Sequence, residues 1–534
     1  MTKKVAIVGA GMSGLTAARW ALLYDVIPVV FETQAEVGGL WCYKEDPKDG
    51  ASVMRNTVLN TSKEMTAFSD FVPENKTPVF MRQKDVHRYL LNYTRHFGLD
   101  EYINFNTSVL AIERCADFEE TGKWTVRYLE RCSESKDEKE DVFDGVLICT
   151  GHHSTPWRPL PWRNEKDFRG RIIHSADYRS NVDFRDKTVV VVGLGNSAVD
   201  CAVDLSNVAE QVYLSTRRGA WVKPKLGRSG SPTDVLSKSR FNHYKSLLIP
   251  TLLKNFLLEN ELSERMDHKA YGLLPDHHVL SAHPTISEEL PGKLASGQII
   301  VKPHLEGFEG KRVEFEDRSV VDNVDAVILC TGYSFDFQIL EDRKLVSVFP
   351  ENDAHLYKYM FPTKLSDHNT LAMIGYVQPL GSLFPVAEMQ SRVYYSVLTG
   401  KCQLPDKSKM IAELEWNRCQ LSMNFVKSRR HTMEVNYVGY MDELAGLIGV
   451  APNMWNLFQT DIKLAFCVLF GPCTAYQYRL SGPHQWEGAK DAILNTKKRL
   501  FFPHDAQRNC LFLNNHMALI SFVITVILLY SLFL

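Results

Sequence analysis

The chain predicts an α/β architecture with two Rossmann-like dinucleotide-binding units and a C-terminal transmembrane helix. The second unit is inserted into a discontinuous first one. Three observations predict this plan. Two glycine loops, Gly9-Ala10-Gly11-Met12-Ser13-Gly14 and Gly193-Leu194-Gly195-Asn196-Ser197-Ala198, each follow a short apolar run and lead into a helical pattern. Segments 144–151 and 325–332 echo each other, each an apolar strand pattern ending in Thr-Gly. The stretch 517–534 carries no charged residue.

The first unit opens on the apolar run 5–8, read as a buried strand. Gly9 permits the tight turn, Gly11 lets backbone approach a pyrophosphate, and Gly14 allows close helix–strand packing. The helix N-terminus then faces the phosphates with its partial positive charge. Glu32 stands 23 residues after Gly9, where a carboxylate accepts hydrogen bonds from ribose hydroxyls. The expected ligand has an unphosphorylated adenosine ribose, as FAD does.

In the second unit the run 189–192 leads into Gly193, Gly195, Asn196 and Ser197, expected to cradle phosphates. Thr216 stands 23 residues after Gly193, within Ser215-Thr216-Arg217-Arg218, with no acid nearby. An acid would repel a 2′-phosphate, whereas arginine binds one bidentately. NADPH is expected here, with Arg217 on the 2′-phosphate and Ser215, Thr216 and Arg218 beside it.

These elements divide the chain. Residues 1–152 and 326–445 form the expected FAD domain, and 153–325 the NADPH domain with a helical insertion at 222–287. Residues 446–512 are a C-terminal extension and 517–534 the anchor. Within the insertion, 241–262 is apolar and aromatic, with helical spacing broken at Pro250. A core helix pair explains it, and so does a monotopic membrane contact that admits lipophilic substrates. Residues 412–416 and onward read as helix, 461–488 as loop-rich, and the charged run 133–141 as a solvated turn.

With 534 residues, 45% hydrophobic and 23% charged, the chain has ordinary globular composition and room for two or three domains. A net charge of −2 gives no sign of a nucleic-acid partner. The eleven cysteines are scattered without a Cys-x-x-Cys pair. That argues against a disulfide framework, a zinc ribbon or a thiol-redox site, and for a reducing compartment. Sequons at Asn60, Asn75, Asn92 and Asn106 are then expected to stay unused. Glycines interrupt the N-terminal apolar stretch, so no cleaved signal peptide is expected. As a helix, 517–534 would span about 27 Å, close to the endoplasmic reticulum bilayer. Lys497, Lys498, Arg499 and Arg508 precede it, placing the body of the protein on the cytosolic face of a tail-anchored protein. No Ser/His/Asp set, paired carboxylates or metal-spaced histidine cluster stands out, so no metal is expected.

Between the glycine loops stands Phe168-Arg169-Gly170-Arg171-Ile172-Ile173-His174-Ser175-Ala176-Asp177-Tyr178. With Gly38-Gly39-Leu40-Trp41, Asn60-Thr61-Ser62-Lys63-Glu64-Met65, Cys330-Thr331-Gly332-Tyr333 and Gly471-Pro472-Cys473-Thr474, it resembles the flavin-containing monooxygenases in their microsomal animal form. The resemblance covers nearly the whole chain. One departure is Ala198, where those enzymes usually place glycine; alanine is allowed there. The resemblance implies that NADPH reduces FAD and that O₂ then gives a C4a-hydroperoxide. This oxidant oxygenates soft nitrogen or sulfur atoms of lipophilic small molecules. Alternatives on the same flavin cycle are Baeyer–Villiger oxygenation of ketones and NADPH oxidase activity. It also implies that Gly38, Gly39, Leu40 and Trp41 lie near the flavin with Thr61, and that Asn60 is the catalytic amide at its reacting edge. Phe168, Gly170, His174 and Tyr178 would brace the interdomain strand. A homo-oligomer is neither required nor excluded.

Overall fold

The computed structural model describes residues 2–501 except 132–136, 154, 347, 350–351 and 430. The expected anchor at 517–534 therefore lies outside the described residues. Among those residues no helix is long and apolar enough to cross a membrane.

Two five-stranded parallel sheets organise the chain. The first unit supplies β1 (Lys4–Val8), β2 (Ile27–Phe31), β3 (Ile103–Asn104) and β4 (Gly145–Ile148). The second supplies β5 (Arg171–His174), β6 (Thr188–Val192), β7 (Gln211–Ser215), β8 (Ile299–Lys302) and β9 (Ala326–Leu329). A late strand, β10 (Leu371–Met373), returns to the first sheet. The sheet orders are β10-β4-β1-β2-β3 and β8-β7-β6-β9-β5. Register repeats as well: Val8 pairs with Phe31 and Ile148, and Val192 with Ser215 and Leu329.

The continuous apolar runs follow from burial on both sheet faces. Val5 and Ile7 point into one core cluster and Ala6 and Val8 into another. Val189 and Val191 likewise part from Val190 and Val192. Each fully buried Val or Ile contributes roughly 1.5–3 kcal/mol. An antiparallel three-stranded meander follows the helical part of each unit, Thr107–Arg114 to Lys139–Phe143 and Leu305–Glu309 to Val320–Val321.

The helices that position the site are α1 (Met12–Leu23), α2 (Lys63–Thr66), α3 (Asn196–Leu205), α4 (Thr233–Ser237), α5 (Arg240–Leu248), α6 (Thr251–Arg265) and α7 (Ala489–Leu500). Pro250 separates α5 from α6, as its lost N–H requires. Strands Val222–Lys223 and Thr285–Ile286 pair and close the insertion at its base.

Two boundaries and one loop reading shift from expectation. The division at 325/326 falls in front of β9, yet β9 pairs with β6 and β5, so the second unit ends after Leu329. The division at 445/446 cuts the helix Tyr437–Leu447. The region 461–488 opens with a helix, Ile462–Phe470, capped by the Asp461 side chain. The helix read at 412–416 is the middle of Lys407–Asn424.

Candidate active site

Both glycine loops take the backbone their sequence demands. Gly9 and Gly193 have φ of +103° and +122°, where a side chain is strained. A Cβ would stand 2.8 Å from the Cys149 carbonyl oxygen at Gly9 and 2.6 Å from that of Cys330 at Gly193. At Gly14 a Cβ would lie 1.8 Å from the Gly9 carbonyl oxygen, which fixes glycine there. Ala198, at the matching place, is accommodated fully buried. Helices α1 and α3 begin at Gly11 and Gly195 with neither a side-chain cap nor an acidic residue in the first turn. Their first N–H groups are thus offered to an anion.

The two loops meet at one cavity of ≈ 1950 Å³. Gly9, Gly11, Glu32, Gly38, Gly39, Leu40, Trp41, Asn60 and Thr61 line it from the first unit, Asn196 and Ser197 from the second. The buried Glu32 carboxylate accepts from the Ala10 N–H (2.7 Å), the Gln34 N–H (2.9 Å) and the Thr33 hydroxyl (3.2 Å). These bonds aim the group, and a carboxylate keeps further acceptor capacity for ribose hydroxyls. Gly38 and Gly39 stack backbone on backbone against the first loop. The Gly38 N–H donates to the Ala10 carbonyl at 3.0 Å, and a Cβ on Gly39 would lie 3.2 Å from the Gly11 Cα. Gln83 donates to the Trp41 carbonyl and fixes the end of that turn.

Asn60 faces the cavity from a segment bracketed by the Leu59 N–H to Met81 carbonyl bond (2.9 Å) and the Lys63 N–H to Val79 carbonyl bond (2.8 Å). Its amide oxygen is buried and has no hydrogen-bond partner among the described residues. A buried polar atom without a partner costs roughly 1–3 kcal/mol. The glycine cradles and this orphaned oxygen together fit a dinucleotide pair whose reacting edge satisfies Asn60.

The second loop departs from expectation in its side chains. The Ser215 hydroxyl, 1% exposed, donates to the Pro303 carbonyl at 2.7 Å and serves the scaffold. The Thr216 hydroxyl accepts from the Gly219 N–H at 3.1 Å and shapes the turn. The Asn196 amide oxygen accepts from the Ile286 N–H at 2.8 Å, tying the loop to the insertion. Arg217 is exposed and outside the cavity lining. Gly193, Gly195, Ser215 and Thr216 lie outside that lining too; with Arg217 they sit at the carboxyl ends of β6 and β7, the usual ligand edge of such sheets.

His174 and Tyr178 are braces. The His174 Nδ1 accepts from the Ala176 N–H at 3.1 Å, so Nε2–H donates to the Gly332 carbonyl at 3.1 Å. Burial lowers its pKa and keeps it neutral. The buried Tyr178 hydroxyl donates to Asp204 at 2.6 Å, joining the segment before β6 to α3.

Sequence reasoning missed several cavity residues. Asp200 on α3 is pushed up to about 6 by burial, against the nearby Lys225. Lys223 is pushed down to about 8 by burial and by Lys238, with Glu261 opposing. Asp234 on α4 accepts from the Ser62 N–H (2.7 Å) and hydroxyl (3.0 Å). No periodicity or motif marks these residues, because they meet only when the insertion folds over the first unit. Outside the cavity lining, Glu36, Cys42 and His87 bring ligand-type atoms within 4.8 Å of one another, with Glu36 exposed and accepting from the Cys42 thiol at 3.6 Å.

A family model described as flavin-binding monooxygenase-like matches residues 2–534. Flavin-containing monooxygenase 5 of Rattus norvegicus is 43% identical over 504 residues, 94% of this chain and 93% of that protein. The N-oxide-forming dimethylaniline monooxygenase 2 of Mus musculus is 41% identical over 506 residues, 94% of this chain and 93% of that protein. Among solved structures, S-allyl-L-cysteine S-oxygenase from Allium sativum has a TM-score of 0.62 at 22% identity, covering 87% of this chain and 93% of its own. An open crystal structure of cyclohexanone monooxygenase has a TM-score of 0.60 at 13% identity, covering 84% and 98%. These two share the fold.

Proposed function

We propose a specific chemistry from a plain premise: the chain belongs to the flavin-binding monooxygenase-like family and is an NADPH-dependent flavin-containing monooxygenase that binds FAD and NADPH. The reaction is oxygenation of soft nucleophilic nitrogen or sulfur atoms in lipophilic small molecules. When bound, FAD would supply the redox chemistry, with NADPH as the reductant and O₂ as the oxidant, so that one oxygen atom goes to the substrate and the other to water. The observation that carries this reading is the shared cavity: both glycine loops reach it, and Asn60 presents an unpartnered amide oxygen within it. The N-oxide-forming relative supports a nitrogen acceptor by its name.

The chain's own residues bind, orient and exclude water. Gly9 and Gly11 with the N-terminus of α1 hold the FAD pyrophosphate, and Glu32 holds its ribose. The loop of Gly38 to Trp41 keeps that site closed on one side. Asn60 offers one acceptor and two donor hydrogens to the reacting edge. Leu257, Leu258 and Leu262 add apolar side chains to the insertion side of the cavity, among the charged Lys254, Glu261 and Arg265. Stopped-flow absorbance tests the reading. Holoenzyme reduced by NADPH and mixed with O₂ should show a long-lived near-ultraviolet band, discharged by an amine or sulfide. Direct return to the oxidised spectrum would replace the monooxygenation reading by NADPH oxidase activity.

Baeyer–Villiger oxygenation is the second reading, and Lys223 favours it. An ammonium lining the same cavity can stabilise the oxyanion formed when a carbonyl is attacked. Lys223→Met should then remove ketone oxygenation and spare sulfide oxygenation; equal effects on both would dismiss this reading.

We place the enzyme on the endoplasmic reticulum membrane, held by 517–534, with its catalytic body toward the cytosol. Lys497, Lys498 and Arg499 supply the basic flank. Leu248 on α5 and Leu252 on α6 are 85% and 74% exposed, and Trp455 is 75% exposed. They favour a second contact with the membrane beside the cavity. A chain truncated before Met517 should keep FAD, and it should still sediment partly with vesicles. Complete release into solution would remove the second contact.

A further inference from the structure

We propose that Ser62, Lys63 and Glu64 form a hub that sets the position of Asn60. Through it, the insertion and the C-terminal helix α7 decide how much oxygen reaches substrate and how much leaves as hydrogen peroxide. The inference rests on the reading of Asn60 as the amide at the reacting edge, and it names what positions that amide.

The argument begins with the amide oxygen of Asn60, which no described residue holds. Its side chain cannot fix its own orientation, so the adjoining backbone must. That backbone continues into three consecutive polar residues, each 0% exposed. Such a run is costly unless every group is paired. Each is paired, and each with a different part of the chain. Ser62 donates from N–H and hydroxyl to Asp234 on α4 of the insertion, at 2.7 and 3.0 Å. The Lys63 ammonium donates to the carbonyls of Asn75 (3.1 Å) and Thr77 (2.7 Å) within the first unit. Glu64 receives a two-pronged bond from Arg499 on α7, Nε at 3.0 Å and Nη2 at 2.9 Å, plus the Tyr476 hydroxyl at 3.2 Å.

Stability alone does not require this arrangement. Well-packed apolar residues commonly replace a buried ion pair at no cost or with a gain. A bidentate arginine–carboxylate pair instead fixes direction. Arg499 also lies in the last described helix, on the basic flank that leads toward the apolar segment 517–534. Helix α7 is thereby linked to the segment that bears Asn60.

The test removes the pair without leaving a lone buried charge. Holoenzyme carrying Glu64→Gln with Arg499→Met is compared with the parent by FAD content, melting temperature, amide hydrogen exchange of 59–66, and the share of NADPH electrons recovered as hydrogen peroxide. The expected result is retained FAD, several-fold faster exchange across 59–66, and a several-fold larger peroxide share. Unchanged exchange, or faster exchange with unchanged coupling, overturns the proposal. If the double variant loses its fold, Ser62→Ala replaces it. That change deletes one of two bonds to Asp234, and a peroxide share equal to the parent's again overturns the proposal. Arg312→Met, which breaks the exposed Arg312–Asp322 pair (2.9 Å), should move neither reading. Asn60→Ala separates the premise from the hub. Normal coupling in that variant sinks the role of Asn60 itself, whatever the hub variants show.

Discussion

In the first unit the outer neighbour of β4 is β10, contributed after the whole second unit has been built. In the second, the outer neighbour of β9 is β5, contributed before the central strand β6. The remaining four strands occupy matching places with matching register at Val8 and Val192. The outer place is thus filled by whichever apolar strand the topology delivers, and chain order does not choose it. The two loops differ in the same spirit. The first is closed by glycine at position 14, by the packed turn at Gly38 and Gly39, and by a buried Glu32 already aimed by three donors. The second accepts Ala198, commits Ser215, Thr216 and Asn196 to the scaffold, and leaves Arg217 in solvent. A preorganised, desolvated site suits a group that stays bound. An exposed arginine, screened by water and salt, suits a cosubstrate that exchanges.

Gly14→Ala should break the comparison most strongly. Its Cβ would collide with the Gly9 carbonyl, costing about 3 kcal/mol or more, and flavin absorbance per protein should fall close to zero. The counterpart Ala198→Gly should cost only about 1 kcal/mol and keep the flavin. Glu32→Gln comes next. Hydrogen bonds to a charged group are worth about 1.5–3 kcal/mol, so FAD should dissociate roughly tenfold to a hundredfold more readily while the KM for NADPH holds. Equal damage to both cofactors would erase the division of labour between the loops. Arg217→Ala should weaken NADPH about fivefold to tenfold, leave NADH unchanged, and lose its effect at high salt.

The smallest effect concerns Asp200. Its folded pKa of about 6 lies above the ordinary 3.8 because burial disfavours the carboxylate. The stability tied to the neutral acid is fully present below 3.8 and is lost as pH rises through about 6. Asp200→Asn should therefore raise the melting temperature by a few degrees at about pH 7, and by less at about pH 5. A gain that is equal at both would show that Asp200 is ordinary in the fold.

The strands at 5–8 and 189–192, the turns at Gly9 and Gly193, and the break at Pro250 were legible because their causes are local. An apolar run, a positive φ and a missing N–H act within a few residues. Glu32 was legible because strand length fixes how far it stands from Gly9. The likeness of 325–332 to 144–151 marked a closing strand for each unit, but the division at 325/326 was drawn at the start of that strand; the pairing of β9 with β6 and β5 moves it past Leu329. Ser215 was read as a ligand contact, and packing turned it toward Pro303. The sequence by itself therefore determined that two dinucleotide loops exist, how they turn and which one bears a carboxylate. The tertiary structure decided that both reach one cavity, that Asp200 resists ionisation, and that Ser62 and Glu64 are held by residues 172 and 435 positions away. Desolvation and long-range pairing depend on what covers a residue, and no window of the chain contains that.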